Sequence, residues 1–405
     1  MTIFGTDVFP SLIGTLCSRN TSFTRRSLMT DNSPLPPLFL GHEIYRASTY
    51  GSRHPLAIPR VSTVMDLSRA MGWLPREVFH TSPRARPEAF QAFHTPEYVA
   101  ALQKAEAEQE VTPAMRERHH IGTLSNPVFT EMFRRPATSS GGALLAAELV
   151  AHGHRVYHPA GGTHHGFPDR AGGFCYFNDP VLAILTLRRL GLGRIAYVDI
   201  DAHHCDGVEA AFDRDPDIAL ISLHEEKRWP FTGALDDEGC GNVFNLPLPR
   251  DLNDDEFALA RDEVILPVVR AHRPDAVVLQ CGADAVREDP LSRLTLSNNA
   301  HWSVVAALNT VAPRFLVLGG GGYNPWSVGR LWTGVWATLN GYVIPDTLPD
   351  PAEAVLRKLS WKRQAGKNPP DHWFTTLRDM PNHGAIRPVV RERVDALAGR
   401  LSVWV

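Results

Sequence analysis

A cluster of acidic and histidine residues follows an apolar stretch near the middle of the 405-residue sequence. The stretch IAYVDI predicts a β-strand, and at or after its end stand Asp199, Asp201, His203, His204 and Asp206. Because side chains alternate between the two faces of a strand, Asp199, Asp201 and His203 are expected to point the same way. Carboxylates beside an imidazole suit Zn²⁺ or another divalent transition metal, and burying them without a partner would be costly. The cluster therefore predicts a metal site where open α/β sheets bind ligands, at the carboxyl end of a strand.

Four other segments carry chemically active or glycine residues at the ends of predicted strands. His164 and His165 are framed by glycines, Asp284 follows the strand AVVLQ, and Tyr323 follows four glycines after FLVL. The fourth segment, SLHEEKRWPFTG, also comes after a strand. Each segment alone fits a plain structural role, such as a helix cap or a tight turn, and GGGGY lacks the Lys-Ser/Thr of a phosphate-binding loop. Their joint occurrence indicates one site built from several strand ends.

Strands and helices alternate along most of the chain. Helices are predicted in NDPVLAILTLRRLG, DDEFALARDEVILPVVRAH, HWSVVAALNTVA and PWSVGRLWTGVWATLNG, and strands in RVYHPA, RIAYVDI, IALISLH, NVFNLPL, DAVVLQCG and RFLVLGG. Several strands are almost entirely apolar, as a parallel sheet covered on both faces requires. The pattern predicts an α/β protein, a three-layer α/β/α sandwich with a mainly parallel central sheet.

The chain divides by composition into an arm, a domain and a tail. Residues 1–38 show no helix or strand period and predict a mobile arm; Met29 as the true start and an organelle-targeting segment are the alternatives. A compact domain is expected over residues 39–345. The more polar residues 346–405 are expected to form a helical extension packed on that domain.

Composition excludes some functional classes. A formal charge of −3 lacks the basic excess of a dedicated nucleic-acid binder, and no apolar run is long enough to span a bilayer. The five cysteines are odd in number and form no CxxC pair, which favours a reducing cytoplasm over a disulfide framework. We therefore expect a cytoplasmic protein that binds neither nucleic acid nor membrane.

A series of ordered motifs resembles the zinc-dependent histone deacetylase family of the arginase/deacetylase superfamily. The motifs are HPLAIPRVS, HTPEYV, PAGGTHHG, GGFCYFND, YVDIDAHHCDGVE, SLHE, QCGAD and LGGGGYNPW. They are most similar to the bacterial branch named for acetoin utilisation, close to class I, and they cover about residues 40–342. The resemblance implies a deacylase that hydrolyses the amide of N-acetyl-lysine in a protein or peptide, or of a related acylated amine.

The resemblance also implies roles for the residues at the strand ends. Asp201, His203 and Asp284 would bind one Zn²⁺ per chain, with Fe²⁺ left open, and the metal would activate a water. His165 would take the proton of that water and later protonate the leaving amine, while His164 would assist electrostatically or as the acid.

The resemblance further implies residues that orient the two histidines and stabilise the reaction intermediate. Asp199 would hold His164 and Asp206 would hold His165, and Tyr323 would stabilise the tetrahedral oxyanion. A structural K⁺ is expected from the resemblance at a site formed mainly by backbone oxygens of Asp199, Asp201, His203, Ser222 and Leu223.

A narrow substrate tunnel is a further expectation from the family. Its substrate-binding positions would be Phe174, Trp229, Leu291, Gly173 and Gly321, with Phe231 as the alternative to Trp229 and Arg60 near an internal exit for the released acid. The uncharged Leu291 favours acyl-lysine or neutral substrates over cationic polyamines. Ser125 stands where the family has a rim aspartate that grips peptide backbones, so small acylated amines are also open.

Two other functions compete with the deacylase. An arginase-like ureohydrolase would need Asp-x-His-x-Asp and a second aspartate two residues before Asp284, where the sequence has Cys205 and Gly282. A catalytically dead binding module would have lost Tyr323, His165 or a metal ligand, and the sequence retains them all. Oligomeric state and physiological substrate are left open.

Overall fold

A single parallel sheet forms the centre of the computed structural model, which describes residues 35–47, 50–51 and 54–404. Its eight strands lie in the order β2-β1-β3-β8-β7-β4-β5-β6, and every neighbouring pair is parallel. The strands are β1 (Leu38–Gly41), β2 (Phe79–Thr81), β3 (Val156–His158), β4 (Ile195–Asp199), β5 (Ile218–Glu225), β6 (Val243–Leu248), β7 (Ala276–Gln280) and β8 (Phe315–Leu318).

Helices cover both faces of this sheet. They are α1 (Val61–Ala70), α2 (Pro96–Glu108), α3 (Pro113–His119), α4 (Arg134–Ala151), α5 (Asp179–Arg189), α6 (Asp206–Phe212), α7 (Asp254–Ala260), α8 (Leu266–His272), α9 (Asn298–Val311), α10 (Pro325–Asn340), α11 (Asp350–Arg357), α12 (His372–Thr375) and α13 (Pro388–Trp404). A π-helical turn, Arg261–Ile265, joins α7 to α8. Along β4, Ala196 and Val198 enter one core cluster while Ile195 and Tyr197 enter the other. The predicted three-layer α/β/α sandwich is confirmed.

Local sequence explains where the helices around the site begin and end. Thr95 caps the start of α2 and accepts from the backbone N–H of Tyr98. Asn324 caps α10 in the same way, and Gly341 ends that helix in the left-handed conformation, with a φ of 70°. Asn178 caps α5 and also donates to the backbone oxygens of His164 and Gly166. The start of α5 thereby fixes the loop that carries the histidine pair.

The sequence-based strands agree with the structure in six of eight cases. The two short strands β1 and β2 were missed, and β1 begins at Leu38, the last residue of the predicted arm. The rest of that arm, up to residue 34, lies outside the described residues. Strand β4 ends at Asp199. The alternation argument therefore stops there, because Asp201 and His203 lie in the turn that follows.

The tail packs on the same core as the sheet. Leu356 of α11, Trp373 of α12 and Val394 and Leu397 of α13 are buried in the cluster that also contains α9 and α10. From Leu35 onward the chain forms one compact unit. Within the described residues, no helix is both long and apolar enough to cross a membrane.

Candidate active site

Two carboxylates and one imidazole converge after β4 and β7, which are neighbours in the sheet. The Nδ1 atom of His203 lies 3.1 Å from Asp201 Oδ1 and 3.0 Å from Asp284 Oδ2, and the three ligand atoms lie within 4.8 Å of one another. Burial opposes protonation of His203, but the two carboxylates outweigh it and raise its pKa to about 10. Two carboxylates and one imidazole at these distances form a donor set that fits a divalent metal ion.

Neighbouring residues hold this triad in place. Asp201 Oδ2 accepts from Gln280 Nε2 and from the backbone N–H of Gly321, both at 2.8 Å, and Asp284 Oδ1 accepts from the backbone N–H of Ala202 at 3.0 Å. A Cβ at Gly321 would lie 2.1 Å from Asp284 Oδ2. Glycine is required there because the backbone passes directly over the carboxylates.

The two adjacent histidines each have a carboxylate behind them, as the sequence predicted. His164 Nδ1 lies 2.8 Å from Asp199 Oδ2, and His165 Nδ1 lies 2.7 Å from Asp206 Oδ1. The two rings are close, with centroids 3.9 Å apart. Each carboxylate orients its ring and leaves the Nε2 atom to face the site.

The two rings differ in protonation although they are neighbours. Burial opposes the charged form of His164, but Asp199, Asp201 and Asp206 prevail and raise its pKa to about 9. Burial and the charge of His164 lower the pKa of His165 to about 4, against the pull of Asp206. Two cations cannot share such a small buried space, so His164 holds the proton and the His165 ring stays neutral.

Tyr323 completes the ring of polar groups around the triad. It is buried, and burial together with Asp284 and Asp201 raises its pKa well above the ordinary value. Its hydroxyl therefore stays protonated at neutral pH and can donate a hydrogen bond. The ring of Phe174 meets the ring of Tyr323 edge-on, with centroids 5.6 Å apart.

Asp289 fixes the backbone at Tyr323 and at Leu291, and the sequence analysis did not predict this role. Its buried carboxylate accepts from the backbone N–H of Tyr323 at 2.6 Å and from that of Leu291 at 2.9 Å. The loop that carries Tyr323 is thus tied to the loop that carries Leu291. The segment REDPLS, with Glu288 directly before Asp289, offers no spacing from which this bridge can be predicted.

A cavity of about 390 Å³ forms the mouth of the site. His165, His203 and Tyr323 lie at its floor, and its walls include Ser125, Phe174, Lys227, Trp229, Phe231 and Leu291. The Trp229 ring lies 4.6 Å from the His165 ring, whereas Phe231 is 75% exposed. Of the two aromatic residues considered from the sequence, Trp229 is the one beside the histidines.

Gly173 makes this aromatic wall possible. Its φ is 47°, and a Cβ there would lie 2.4 Å from the Trp229 ring and 2.5 Å from the His165 ring. The next residue, Phe174, also has a positive φ, 70°, which is uncommon for an aromatic residue. The small Gly173 therefore lets the Trp229 ring approach His165, and the next residue, Phe174, packs against Tyr323.

A second cavity, of about 100 Å³, extends inward from the triad. It is lined by Asp201, His203 and Tyr323 on one side and by Tyr45, Arg60 and Arg135 among others further in. The Arg60 guanidinium donates to the backbone oxygen of Gly320, and burial lowers its pKa. Arg60 therefore lies where the family resemblance placed it, next to an internal space.

Two further buried polar residues were missed. Gln280, the last residue of β7, donates to Asp201 as described above. Asp179 is fully buried and accepts from the backbone N–H groups of Gly162 and Thr163, both at 2.9 Å, which fixes the turn before the histidines. The signal for Gln280 was present, because a polar residue at the end of the apolar strand AVVLQ needs a buried partner.

The sequence matches the family model described as the histone deacetylase domain over residues 54–339. It is 32% identical over 351 residues to the acetoin utilization protein AcuC of Bacillus subtilis, covering 83% of this chain and 89% of that relative. The histone deacetylase RPD3 of Saccharomyces cerevisiae is 33% identical over 309 residues, covering 74% of this chain and 71% of the yeast protein.

Solved structures show the same likeness. The crystal structure of an HDAC homolog from Aquifex aeolicus has a TM-score of 0.86 and 35% sequence identity, covering 90% of this chain and all of that chain. A structure described as an HDAC homolog complexed with SAHA matches equally well, with a TM-score of 0.86 and 35% identity. The region matched by the family model contains the metal triad, the histidine pair and the tyrosine.

Proposed function

Because this chain belongs to the histone deacetylase family and is similar to its bacterial acetoin-utilisation branch, we propose that it hydrolyses N-acetyl-lysine in a protein or peptide, or a related acylated amine. The family assignment makes it a hydrolase of acetylated amides. The observation that carries the proposal is that one cavity is lined by Asp201 and His203, by the histidine pair and by Tyr323. The ligand atoms of Asp201 and His203 lie within 4.8 Å of that of Asp284.

We assign the metal position to the triad. Asp201, His203 and Asp284 would hold one Zn²⁺, which when bound would polarise the acyl carbonyl and lower the pKa of a water. The same oxygen and nitrogen donors also accept Fe²⁺. Three protein ligands leave room for exchangeable ones, as catalytic sites require.

Proton transfer is assigned to His165. Its pKa of about 4 keeps the ring neutral at pH 7, so it can accept the proton of the attacking water and then deliver it to the leaving amine. His164, with a pKa of about 9, stays protonated and contributes positive charge near the developing oxyanion. Asp206 keeps the neutral His165 ring in the tautomer with its proton on Nδ1, and Asp199 holds the charged His164 ring in place.

Tyr323 is assigned to the oxyanion, and this gives a direct prediction. Tyr323→Phe removes one hydrogen-bond donor from the developing charge and is expected to lower kcat by about 10²–10³. The loss should be equal for a long peptide and for a minimal acetylated amine, because both present the same carbonyl. Steady-state kinetics on both substrates measure it.

The matched control for this variant is Tyr342→Phe, which removes a hydroxyl from a partly exposed ring stacked on Trp73. It should leave kcat within a factor of about two, as surface substitutions usually do. A Tyr323→Phe enzyme that turns over as fast as the Tyr342→Phe enzyme would remove the tyrosine from its assigned role.

Substrate contacts are assigned to the residues around the mouth. Phe174 and Trp229 would flank the aliphatic stem of the acylated amine, with Gly173 making their approach possible and Gly321 leaving space over the metal ligands. The uncharged Leu291 lies at the entrance. Arg60, beside the inner cavity, would accompany the released acid.

Ser125 separates peptide recognition from chemistry. It is exposed on the mouth cavity, and its backbone oxygen lies 3.2 Å from Nε2 of His54, whose ring packs on Phe174. Ser125→Asp supplies a charged acceptor for peptide N–H groups and should raise kcat/KM for extended acetyl-lysine peptides roughly three- to tenfold. Small acetylated amines should be unaffected. Ser125→Asn is the neutral control, and an equal change for both substrate classes would place Ser125 away from the peptide.

A two-metal ureohydrolase is not supported by this site. The second metal would need an aspartate at position 282, and a Cβ at Gly282 would lie only 2.0 Å from Asp201 Oδ2. The position that would supply another ligand after His203 is occupied by Cys205, which is buried. A comparison of acylated amines with arginine as substrates therefore distinguishes the deacylase from the ureohydrolase.

The decisive experiment is a substrate panel with the zinc-loaded enzyme. Acetyl-lysine peptides, longer acyl-lysine peptides, acetylated polyamines and small acetylated amines are compared by kcat/KM, and arginine is tested for urea release. Hydrolysis of at least one acylated amine, without urea release, supports the proposal. Urea release alone, or no hydrolysis of any amide, contradicts it.

The remaining assignments rest on the resemblance. A K⁺ ion is proposed near Ser222 and Leu223 of β5, where Asp199 and Ser222 are paired across β4 and β5. The described cysteines Cys175, Cys205, Cys240 and Cys281 are free, which fits the reducing compartment predicted from the sequence. The cytoplasmic location itself stays a prediction.

A further inference from the structure

The charge around the mouth cavity is one-sided. Its lining includes Lys227 and Arg228, and none of the residues that line it is acidic. The position where an aspartate would be expected from the family holds the neutral Ser125, and Leu291 adds no charge. An acylated amine that reaches the triad must therefore pass a rim with positive charge.

Lys227 is the cation that this rim leaves available. Its side chain is exposed, and within the described part of the chain it forms no ion pair and no hydrogen bond. Its φ of 56° lies in the left-handed region, which is uncommon for lysine. Such a backbone conformation persists only where the surroundings determine it, and Lys227 is among the residues that line the mouth cavity.

Those neighbours also explain why the charge of Lys227 is not cancelled. The two acidic residues directly before it are both engaged by other arginines. Glu225 Oε1 accepts from Arg228 Nη2 at 2.7 Å, and Glu226 Oε2 accepts from Arg393 Nη2 of α13 at 2.7 Å. Glu225 also accepts from the backbone N–H of Arg293 at 2.7 Å, which ties the Lys227 loop to the loop after Leu291.

We propose that the substrate carries a carboxylate close to the acylated amine and that Lys227 binds this carboxylate at the mouth. The inference rests on the proposed deacylase function and deepens it by naming a substrate class. The shared chemistry has two sources: the free α-carboxylate of a terminal or free acyl-lysine, or an acidic side chain beside the acyl-lysine in a peptide. Cationic substrates such as acylated polyamines are disfavoured by the same charge.

The test compares substrates that differ only in charge. Short peptides carry acetyl-lysine beside Glu, Gln or Lys, and a second pair ends in acetyl-lysine with a free or an amidated carboxyl group. For the wild type, the peptide with the additional carboxylate should have a kcat/KM roughly two- to fivefold higher than its uncharged counterpart, the range of an exposed ion pair. The preference should shrink as salt is raised from about 50 to about 500 mM, because the added ions screen an exposed charge pair.

Lys227→Asn removes the charge and keeps a residue type that tolerates a positive φ. This variant should lose the preference, measured as the ratio of kcat/KM between the acidic and the neutral peptide, and Lys227→Asp should favour the Lys-flanked peptide. Lys104→Gln is the control for net charge, because Lys104 lies on α2 and lines no part of the mouth cavity. It should keep the wild-type preference.

The outcomes distinguish the two carboxylate sources, and they also distinguish failure of the Lys227 inference from failure of the proposed deacylase function. A preference for the Glu-flanked peptide points to acidic peptides, and a preference for the free carboxyl terminus points to the α-carboxylate; either supports the inference. Equal kcat/KM values across the charge series overturn it, and so does a preference that survives in Lys227→Asn. If no acylated amine is hydrolysed, it is the deacylase function that fails.

Discussion

Replacing Asp201 by Asn is expected to remove both the bound zinc and the hydrolytic activity. Asp201 Oδ1 lies against His203, while Oδ2 accepts from Gln280 and Gly321, so both oxygens of this carboxylate are held in place beside the metal position. An amide loses the negative charge and turns a donor toward one of these partners. Since a catalytic metal contributes several kcal/mol to transition-state stabilisation, kcat/KM should fall by about 10³ or more.

Metal analysis of the purified protein gives the independent measurement. The wild type should contain one zinc per chain and the Asp201→Asn variant close to none. Asp262→Asn is a suitable control, because that aspartate is exposed and pairs with Arg261 on the surface. Two essential metal equivalents in the wild type, or an Asn variant that retains full activity, would contradict the single-metal site.

Replacing His165 by Ala should separate proton transfer from metal binding. The variant loses the neutral base beside the triad, and kcat is expected to fall by about 10²–10⁴, the usual contribution of a positioned acid or base. Its zinc content should stay at one per chain, because His165 bonds to Asp206 and not to the triad. Steady-state kinetics and metal analysis on the same preparation provide both values.

A kcat within about threefold of wild type would exclude His165 as the base. His164→Ala is the informative companion, since His164 is the protonated member of the pair. It should retain the base and lose the nearby positive charge. A larger loss of kcat in His164→Ala than in His165→Ala would reverse the two assignments.

The sheet could be predicted wherever its strands were long and apolar. Strands β4 to β8 have four to eight residues that are almost all buried, and β3 was predicted within RVYHPA although it has only three residues. Strands β1 and β2 were missed because LFLG follows a proline-rich stretch and FHT has only three residues, with no alternation to detect. Their identity as strands depends on pairing with β3 and with each other, which is information from tertiary structure.

The residues at strand ends were predictable because their chemistry is unusual in those places. What holds them was less so: Gln280, Asp179 and Asp289 act through hydrogen bonds to backbone or carboxylate groups that lie between 16 and 79 positions away in the chain. No local pattern announces such bonds. The choice between Trp229 and Phe231 likewise could be made only from the structure, because the two residues lie two positions apart in the sequence. They differ in their exposure and in the contact of Trp229 with His165.

The bridge made by Asp289 limits how the enzyme can evolve or be engineered. Tyr323 and Leu291 share one buried carboxylate, so the loop that shapes the entrance cannot shift without pulling on the residue assigned to the oxyanion. Altering the selectivity for the amine part of the substrate by substitution near Leu291 is therefore expected to lower turnover as well as to change affinity. Selectivity and speed are linked traits in this scaffold, and a library that aims to alter one needs compensating diversity around Asp289.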